Sequence, residues 1–261
     1  MKVALTIAGS DSCGGAGIQA DIKSISANGV YAMSVVTAIT AQNTQGVFGV
    51  QDIDEEMIRK QIDVLFDDVK IDAIKIGMVS KPATIKAISQ TLKKYDYKNI
   101  ILDPVMISKS GFSLLQPDAC SALISELIPL ALVVTPNLLE AEVITGMSVK
   151  NLVEMEASAK KIHSMGARYV LIKGGHLEDD ESTDVLYDGE KITKYSSKRV
   201  NNNNSHGTGC TLSSAIAANI AKGLSVEEAV EISKQYITKA IKNGIELGKG
   251  VGPTHHFHEF Y

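Results

Sequence analysis

The chain has 261 residues, of which 44% are hydrophobic and 21% are charged, a balance that is ordinary for a globular protein. A formal net charge of −4 argues against a nucleic-acid-binding surface, and no apolar run is long enough to span a membrane. Three cysteines argue against a disulfide framework, and the N-terminus turns polar too soon after Ala8 for a signal peptide, so we expect a cytoplasmic protein.

Short apolar runs alternate with helical patterns from one end of the chain to the other. Seven runs are predicted to be strands: Val3–Ala8, Ala32–Thr37, Ala73–Ile76, Asn99–Leu102, Leu132–Thr135, Tyr169–Ile172 and Asp184–Tyr187. Most are apolar at every position, as in strands that are buried on both faces of a parallel sheet.

The predicted helices have apolar stripes and recognisable ends. The stripes are Ile85, Ile88 and Leu92; Cys120, Leu123, Ile124 and Leu127 after Pro117; and Met155 and Ile162 before Gly166. Ser225 and Glu228 form a capping box at the start of a further helix. This alternation predicts one α/β domain over residues 1–261, with a mainly parallel sheet and a ligand beyond the carboxyl ends of its strands.

The segment from His206 to Thr211 opens a helix whose apolar residues Leu212, Ile216 and Ile220 fall four apart, so we expect one face to pack inward. The free N–H groups at the start of such a helix attract anions, and Gly207 and Gly209 would let a phosphate approach them. Taken alone, a tight loop before a helix packed through small residues explains the segment equally well.

A glycine-rich stretch follows the first strand and contains Gly15-x-Gly17-x-x-Ala20, a weak match to a dinucleotide fingerprint. We interpret it instead as a loop around a small substrate, with Asp21 and Gln42 as hydrogen-bonding groups. A helix cap is the alternative for Asp21. The run of asparagines from Asn201 to Asn204 is interpreted as a solvated loop.

Three further predicted strands end in polar residues. They are followed by Asp103-Pro104, by Asn137-x-x-Glu140 and by Lys173-Gly174-Gly175-His176. A turn-forming Asp-Pro pair, a helix-capping pair and a surface lysine are the structural alternatives. Together, however, carboxylates and a lysine at one edge of a sheet predict phosphoryl transfer with Mg²⁺.

Cys210 is the candidate base or substrate-gripping thiol, and we expect the helix N-terminus to lower its pKa. A thiol is a poorer proton acceptor from an alcohol than a well-tuned carboxylate, so the role of base is a hypothesis. Cys120 is predicted to be core and Cys13 to be exposed. His255, His256 and His258 resemble a metal ligand set, but they have no acidic or thiol partner nearby in the sequence.

Several long motifs, in one order, resemble the hydroxymethylpyrimidine/phosphomethylpyrimidine kinases of the ribokinase-like superfamily. They are Ala4-Leu-Thr-Ile-Ala-Gly-Ser-Asp-Ser12, Gly14-Gly-Ala-Gly-Ile-Gln-Ala-Asp21, Thr40-Ala-Gln-Asn-Thr44, Asp103-Pro-Val-Met106, Lys109-Ser-Gly111, Thr135-Pro-Asn137, Gly207-Thr-Gly-Cys-Thr211 and Gly252-Pro-Thr-His-His-Phe257. The resemblance implies a three-layer α/β/α sandwich that uses ATP and Mg²⁺ to phosphorylate a pyrimidine alcohol, and then its monophosphate, in thiamine biosynthesis. It also implies a homodimer.

The resemblance assigns roles to particular residues. Gln42 and Asp21 would hold the aminopyrimidine edge, in a pocket formed by Gly9, Ala16, Met78 and Val105. Asp103, Asn137 and Glu140 would organise Mg²⁺ and phosphates, and Lys173 would meet the phosphates of ATP. Gly207, Gly209 and the amide of Cys210 would form the anion hole, and Thr208 would bind ATP together with Asn137 and Lys173. The wider superfamily usually has Asp at the position of Cys210, and a serine or glycine is expected at that of Cys13.

Three other functions are compatible with parts of this pattern. A pyridoxal or pyridoxine kinase of the same branch also acts on a flat nitrogen heterocycle with a hydroxymethyl group. A non-catalytic ligand sensor would have no need for Asp103, Glu140 and Lys173 together. A nicotinamide-dependent dehydrogenase rests on the weak glycine fingerprint alone.

Overall fold

A single sheet of nine strands forms the centre of the protein. The computed structural model describes residues 1–106, 114–116, 118–175, 180–200 and 202–261. Numbered in chain order, the strands are β1 (Val3–Asp11), β2 (Tyr31–Asn43), β3 (Gly46–Asp52), β4 (Ala73–Ile76), β5 (Ile100–Leu102), β6 (Val133–Val134), β7 (Tyr169–Ile172), β8 (Glu181–Tyr187) and β9 (Ile192–Lys198). Their order across the sheet is β3-β2-β1-β4-β5-β6-β7-β8-β9.

Six neighbouring strands in the middle of the sheet are parallel. In their order across the sheet they are β2, β1, β4, β5, β6 and β7. β3 is antiparallel at one edge, and β8 and β9 form an antiparallel pair at the other. The expectation of a mainly parallel sheet is therefore confirmed. Because parallel strands share a direction, the residues that follow β1, β4, β5, β6 and β7 meet at one edge, where ligands bind in such folds.

Helices cover both faces of the sheet. They are α1 (Gly17–Ala27), α2 (Glu55–Asp68), α3 (Pro82–Lys94), α4 (Ala119–Ala122), α5 (Leu138–Thr145), α6 (Leu152–His163), α7 (Thr208–Ala221) and α8 (Val226–Lys242). A π-helical turn, Leu123–Leu127, and a 3₁₀ turn, Ile128–Leu130, continue α4. None of the described helices is both long and apolar enough to cross a bilayer.

Alternate residues of the strands supply two separate apolar layers. Ile100 and Leu102 point towards α2 to α6, whereas Ile101 between them packs on the side of α1, α7 and α8. The result is the three-layer α/β/α sandwich that the sequence resemblance implies.

Helix α7 is more deeply buried than its sequence predicts. Leu212, Ile216 and Ile220 are buried as expected, but so is every other residue from Thr211 to Ala221. We expected only one face of α7 to be buried, but the helix is buried on all sides because it lies between the sheet and both α1 and α8. Its serines and alanines are small enough for that close packing.

The structure contains the predicted strands and helices, but several begin or end at residues other than those predicted. β4 and β7 match their predicted bounds, β1 continues to Asp11 and β2 continues to Asn43. The strands β3 and β9 were not predicted. Lys109 to Gly111, Pro117, His176 and Asn201 lie outside the described residues.

Candidate active site

Asp11, the last residue of β1, organises the glycine-rich loop that follows. Its Oδ1 accepts a hydrogen bond from the N–H of Cys13 at 2.8 Å, and its Oδ2 accepts from the N–H groups of Gly15 and Ala16 at 3.0 and 2.8 Å. The imidazole Nε2 of His206 lies 2.9 Å from the same Oδ2. Burial opposes the charged form, but these donors outweigh it and hold the pKa of Asp11 below its usual value.

The loop packs tightly against the segment that precedes α7. A Cβ atom added at Gly15 would lie 2.2 Å from Cδ2 of His206, and one added at Gly207 would lie 1.7 Å from the carbonyl oxygen of Gly15. Gly207 also has a left-handed backbone, with φ +78°. Glycine is therefore required at both positions by contact, and at Gly207 by conformation as well.

The start of α7 presents free backbone donors, as predicted. Gly207 is the N-cap, so the N–H groups of Gly209 and Cys210 have no acceptor earlier in the helix. A Cβ added at Gly209 would lie 3.3 Å from Nζ of Lys173 and 3.6 Å from Oδ2 of Asp103. The helix N-terminus and a lysine thus face the same small space, which suits an anion.

Lys173 links the two acidic residues that the sequence assigns to a metal. Its Nζ lies 2.7 Å from Oδ1 of Asp103 and 3.9 Å from Oε2 of Glu140. All three side chains are at least 87% buried, since their exposures are 13%, 2% and 8%. Burial opposes both charges, yet their attraction raises the pKa of Lys173 and lowers that of Asp103.

Asn137 and Glu140 have the capping role that was one of their two predicted roles. The amide N–H of Glu140 donates to the side chain of Asn137 at 2.9 Å, and the amide of Asn137 donates to Oε2 of Glu140 at 2.7 Å. Burial raises the pKa of Glu140 to about 7, although Lys173 acts in the opposite direction. A nearby cation would stabilise the charged form of a carboxyl group with such a pKa. Capping and cation binding are therefore compatible at Glu140.

The carboxylates fit a cation that a nucleotide brings with it. No group of three or more His, Cys, Asp or Glu side chains able to hold a metal is found in the described part of the chain. Magnesium commonly takes one or two protein carboxylates and fills its other positions with phosphates and water. Asp103 and Glu140, which both face Lys173, match that smaller requirement.

The predicted heterocycle pocket lies on the other side of the Gly207 turn. A Cβ added at Gly9 would lie 2.9 Å from Sδ of Met78, so these two residues are in direct contact. Ala16 and Val105 are partly exposed, as groups that line a pocket must be. Gln42 is the last residue but one of β2 and lies close to Thr40 and His206.

Asp21 does not reach this pocket, contrary to expectation. Its carboxylate is fully buried and accepts hydrogen bonds from Lys75, at 2.8 and 2.9 Å, and from the hydroxyls of Thr6 and Ser214, at 2.6 and 2.7 Å. No oxygen is left for a substrate, and Asp21 lies inside α1 rather than at its cap. We therefore assign Asp21 a supporting role beneath the pocket.

Lys75 is a residue of this site that the sequence analysis missed. It is fully buried in β4, and its Nζ would lie 2.6 Å from a Cβ at Gly77. The sequence did contain a signal, because a lysine in the middle of the apolar strand Ala73–Ile76 needs a buried partner.

The pKa of Cys210 moves in the opposite direction to the prediction. Burial raises it to about 11, despite the opposing charge of Lys75 and a hydrogen bond from the N–H of Gly17. The thiol therefore keeps its proton at neutral pH, which weakens the hypothesis that it acts as a base. Desolvation is the largest of these effects, and the nearby carboxylates of Asp21 and Asp103 act in the same direction.

The C-terminal histidines include one with a structural contact to this site. His256 is buried, with Nε2 3.0 Å from Oγ1 of Thr211, and burial lowers its pKa to about 3. A neutral imidazole thus packs behind the first turn of α7. Asn202 and Asn204 donate to the carbonyls of Ile241 and Gly244, so these two asparagines are bonded to the C-terminal end of α8 and to the residues that follow it.

Comparison with known proteins agrees with this geometry. The family model for phosphomethylpyrimidine kinase matches residues 11–255. A hydroxymethylpyrimidine/phosphomethylpyrimidine kinase from Rhizobium meliloti is 52% identical, over 99% of this chain and 98% of its own length.

Solved structures with the same fold include members of two activities. A phosphomethylpyrimidine kinase from Clostridium difficile is 50% identical, with a TM-score of 0.83 over 93% of this chain and 100% of that one. An ADP complex of Bacillus subtilis pyridoxal kinase is 43% identical, with a TM-score of 0.93 over 99% of this chain and 98% of that one. By sequence and by ribokinase-like fold, this chain belongs to the phosphomethylpyrimidine kinase family.

Proposed function

We propose that this protein uses ATP to phosphorylate the hydroxymethyl group of 4-amino-5-hydroxymethyl-2-methylpyrimidine, and then the resulting monophosphate to the diphosphate, in thiamine biosynthesis. One observation carries the proposal. The turn at Gly207 touches the glycine-rich loop on one side, while Gly209, two residues later, adjoins Lys173 and Asp103 on the other. A phosphoryl group held at the start of α7 would thus lie between the heterocycle and the nucleotide phosphates.

Each side of the site has a distinct task in this proposal. Lys173 and the amides of Gly209 and Cys210 neutralise charge on the transferred group, with Thr208 and Asn137 beside the nucleotide. Mg²⁺ would be held by Asp103 and Glu140 and would supply further charge neutralisation. Gly9, Ala16, Met78 and Val105 form the walls for the flat ring, and Gln42 offers it both a donor and an acceptor.

Pyridoxal kinase activity is the second candidate, because the Bacillus subtilis pyridoxal kinase has the same fold at 43% identity. The test is ATP consumption with Mg²⁺ and either hydroxymethylpyrimidine, its monophosphate or pyridoxal. We expect turnover of both pyrimidines. Turnover of pyridoxal alone would reassign the substrate, and ATP consumption with none of them would contradict a kinase function.

The substitution Gln42→Leu tests the placement of the heterocycle. We expect it to raise KM for the pyrimidine about tenfold or more, because a donor and an acceptor for the heterocycle are lost, and to leave KM for ATP within twofold. An equal rise in both constants would contradict the assignment of Gln42 to the pyrimidine.

We also propose a homodimer of single-domain chains in the cytoplasm. Phe48 and Ile39, on β3 and β2, are 71% and 52% exposed, so the sheet edge offers apolar surface to a second copy. The three cysteines are free thiols, which suits a reducing compartment. Light scattering of the wild type and of Phe48→Ser tests the dimer, and a monomeric wild type would contradict it.

A further inference from the structure

Gln42 is held between two side chains that determine which way its amide points. Nε2 of the amide is placed 3.4 Å from Nε2 of His206, and Oε1 is placed 3.2 Å from Oγ1 of Thr40. A half-turn about the last side-chain bond exchanges these two atoms at nearly the same positions. Oxygen and nitrogen of a side-chain amide are distinguished by their hydrogen-bonding partners, so each neighbour can be considered in turn.

Thr40 can only accept from Gln42. Its hydroxyl has a single hydrogen, and Oγ1 lies 2.9 Å from the carbonyl oxygen of Ser10, which can only accept. That hydrogen is therefore used within the sheet. The amide atom that faces Thr40 must be a donor, namely Nε2 of Gln42.

His206 leads independently to the same orientation. Its Nε2 lies 2.9 Å from Oδ2 of Asp11, a carboxylate that also accepts from two backbone N–H groups. An ionised carboxylate only accepts, so this imidazole nitrogen carries a hydrogen. That hydrogen points at Asp11, and the nitrogen that carries it has no lone pair with which to accept from an amide N–H. An amide oxygen at 3.4 Å can share the hydrogen, whereas an amide nitrogen there would face it without a bond, so His206 favours Oε1 of Gln42 at this position.

The imidazole itself has little freedom to move. The side chain of His206 is 10% exposed, and its ring lies against Gly15 so closely that a methyl group there would be 2.2 Å from Cδ2. A ring packed against the backbone and bonded to a buried carboxylate is a rigid support for a neighbouring side chain.

The orientation of the amide has a chemical consequence for substrate choice. Aligned on the hydroxymethyl group, the pyrimidine presents an amino donor next to a ring-nitrogen acceptor. At the same two positions pyridoxal presents an aldehyde acceptor next to a hydroxyl donor, so the order is reversed. One fixed amide can match only one of these orders.

We propose that the Asp11–His206 pair, together with Thr40, fixes the Gln42 amide in the orientation that matches the aminopyrimidine and disfavours pyridoxal. His206 is thus a positioning and specificity-determining residue that acts through Gln42. This inference rests on the proposed function, in which Gln42 contacts the heterocycle.

A double-mutant cycle of His206→Leu and Gln42→Leu tests the coupling. We expect His206→Leu to raise KM for the pyrimidine about tenfold and to raise the pyridoxal-to-pyrimidine ratio of kcat/KM by a similar factor. In the Gln42→Leu background, the same substitution should leave the pyrimidine KM and the ratio within twofold. A full effect of His206→Leu without Gln42, or an unchanged ratio, would overturn the proposal.

Two further variants keep the test interpretable. Thr40→Val has nearly the same shape and removes the second partner of the amide, so it should raise the ratio even if His206→Leu fails to fold. His163→Leu is the matched control, because that half-buried histidine packs on Tyr187 beneath the opposite helical layer. A similar change in selectivity in His163→Leu, or none in Thr40→Val, would count against the proposal.

The orientation can also be measured without any substrate. In ¹⁵N-labelled protein, the side-chain amide signal that Gln42→Leu removes should show NOEs to Thr40 rather than to the His206 ring. NOEs to His206 instead would overturn the inference. If no heterocycle is phosphorylated but these NOEs are found, the proposed function fails and the orientation stands.

Discussion

Gly207 and Gly15 approach one another so closely that a methyl group on Gly207 would lie 1.7 Å from the Gly15 carbonyl oxygen. The two residues belong to the proposed phosphate-binding turn and to the proposed loop around the heterocycle. Their contact sets how closely the two proposed binding segments approach, and therefore the distance over which a phosphoryl group would travel.

Gly207→Ala is expected to separate these segments. We predict a loss of stability of about 4 kcal/mol or more and a fall in kcat of about 10²-fold, because reacting groups would be displaced. Gly223→Ala is the matched control, since Gly223 also has a positive φ, +93°, but nothing lies within 4 Å of its Cβ position. Its cost should be about 1–2 kcal/mol, with kcat unchanged. Equal losses in thermal unfolding for the two variants would show that backbone strain alone matters.

The ion pair of Lys173 and Asp103 can be separated into its structural and catalytic effects. Lys173→Met leaves a buried carboxylate without its partner and should cost about 3–5 kcal/mol. The double variant Asp103→Asn/Lys173→Met removes both charges and should recover much of that stability while staying inactive. Urea unfolding and ATP consumption measure the two effects. Recovery of activity in the double variant would contradict a role for this pair in phosphoryl transfer.

The raised pKa of Cys210 predicts a slow-reacting thiol. Since burial raises this pKa from 9.0 to about 11, alkylation at pH 7 should be much slower than for a free thiol. The stabilisation that the protonated thiol contributes is complete below about pH 9 and is lost as pH rises through about 11. The unfolding temperature of Cys210→Ala should therefore rise relative to wild type above pH 9. Rapid alkylation of Cys210 at pH 7 would contradict this assignment.

The same substitution tests the catalytic role of Cys210. We expect Cys210→Ala to lower kcat by about tenfold, less than the 10²–10⁴-fold typical of a lost general base, because the backbone amide remains. Single-turnover measurements would check this. A fall of about 10⁴-fold with unchanged stability would restore the thiol as the base.

Asp21 is expected to affect stability more than recognition. Asp21→Asn leaves the buried ammonium of Lys75 without a charged partner and should cost about 3–5 kcal/mol. At a temperature where the variant is folded, KM for the heterocycle should change less than threefold, in contrast to Gln42→Leu. A large rise in that KM, with little loss of stability, would place Asp21 against the substrate after all.

The sequence predicted the central strands because their apolar runs are nearly continuous. It missed β3, whose two glycines and partly exposed residues give no apolar run, and β9, which is mostly polar. Both are antiparallel strands at the edges of the sheet. Each is held there by backbone hydrogen bonds to a single neighbouring strand and not by burial of apolar side chains.

The residues at strand ends were predictable because parallel strands place their carboxyl ends together. Asp103, Glu140 and Lys173 were identified in this way. The support beneath the site was not, because the bonds of Asp21 to Lys75 and Ser214 cross large gaps in the sequence. The direction of the Cys210 pKa failed for a related reason, since the groups around its thiol, among them Gly17 and Lys75, are distant in the sequence.

The contacts that complete the site join distant parts of the chain. Asp11 and His206 are 195 residues apart, Asp21 and Ser214 are 193 apart, and Ser24 and the Thr211 carbonyl are 187 apart. Loops of this length close slowly, so the binding site should be among the last parts of the molecule to form. During synthesis on the ribosome, the nascent sheet would therefore be present before any affinity for nucleotide or heterocycle, and ligands would act only on the nearly finished fold.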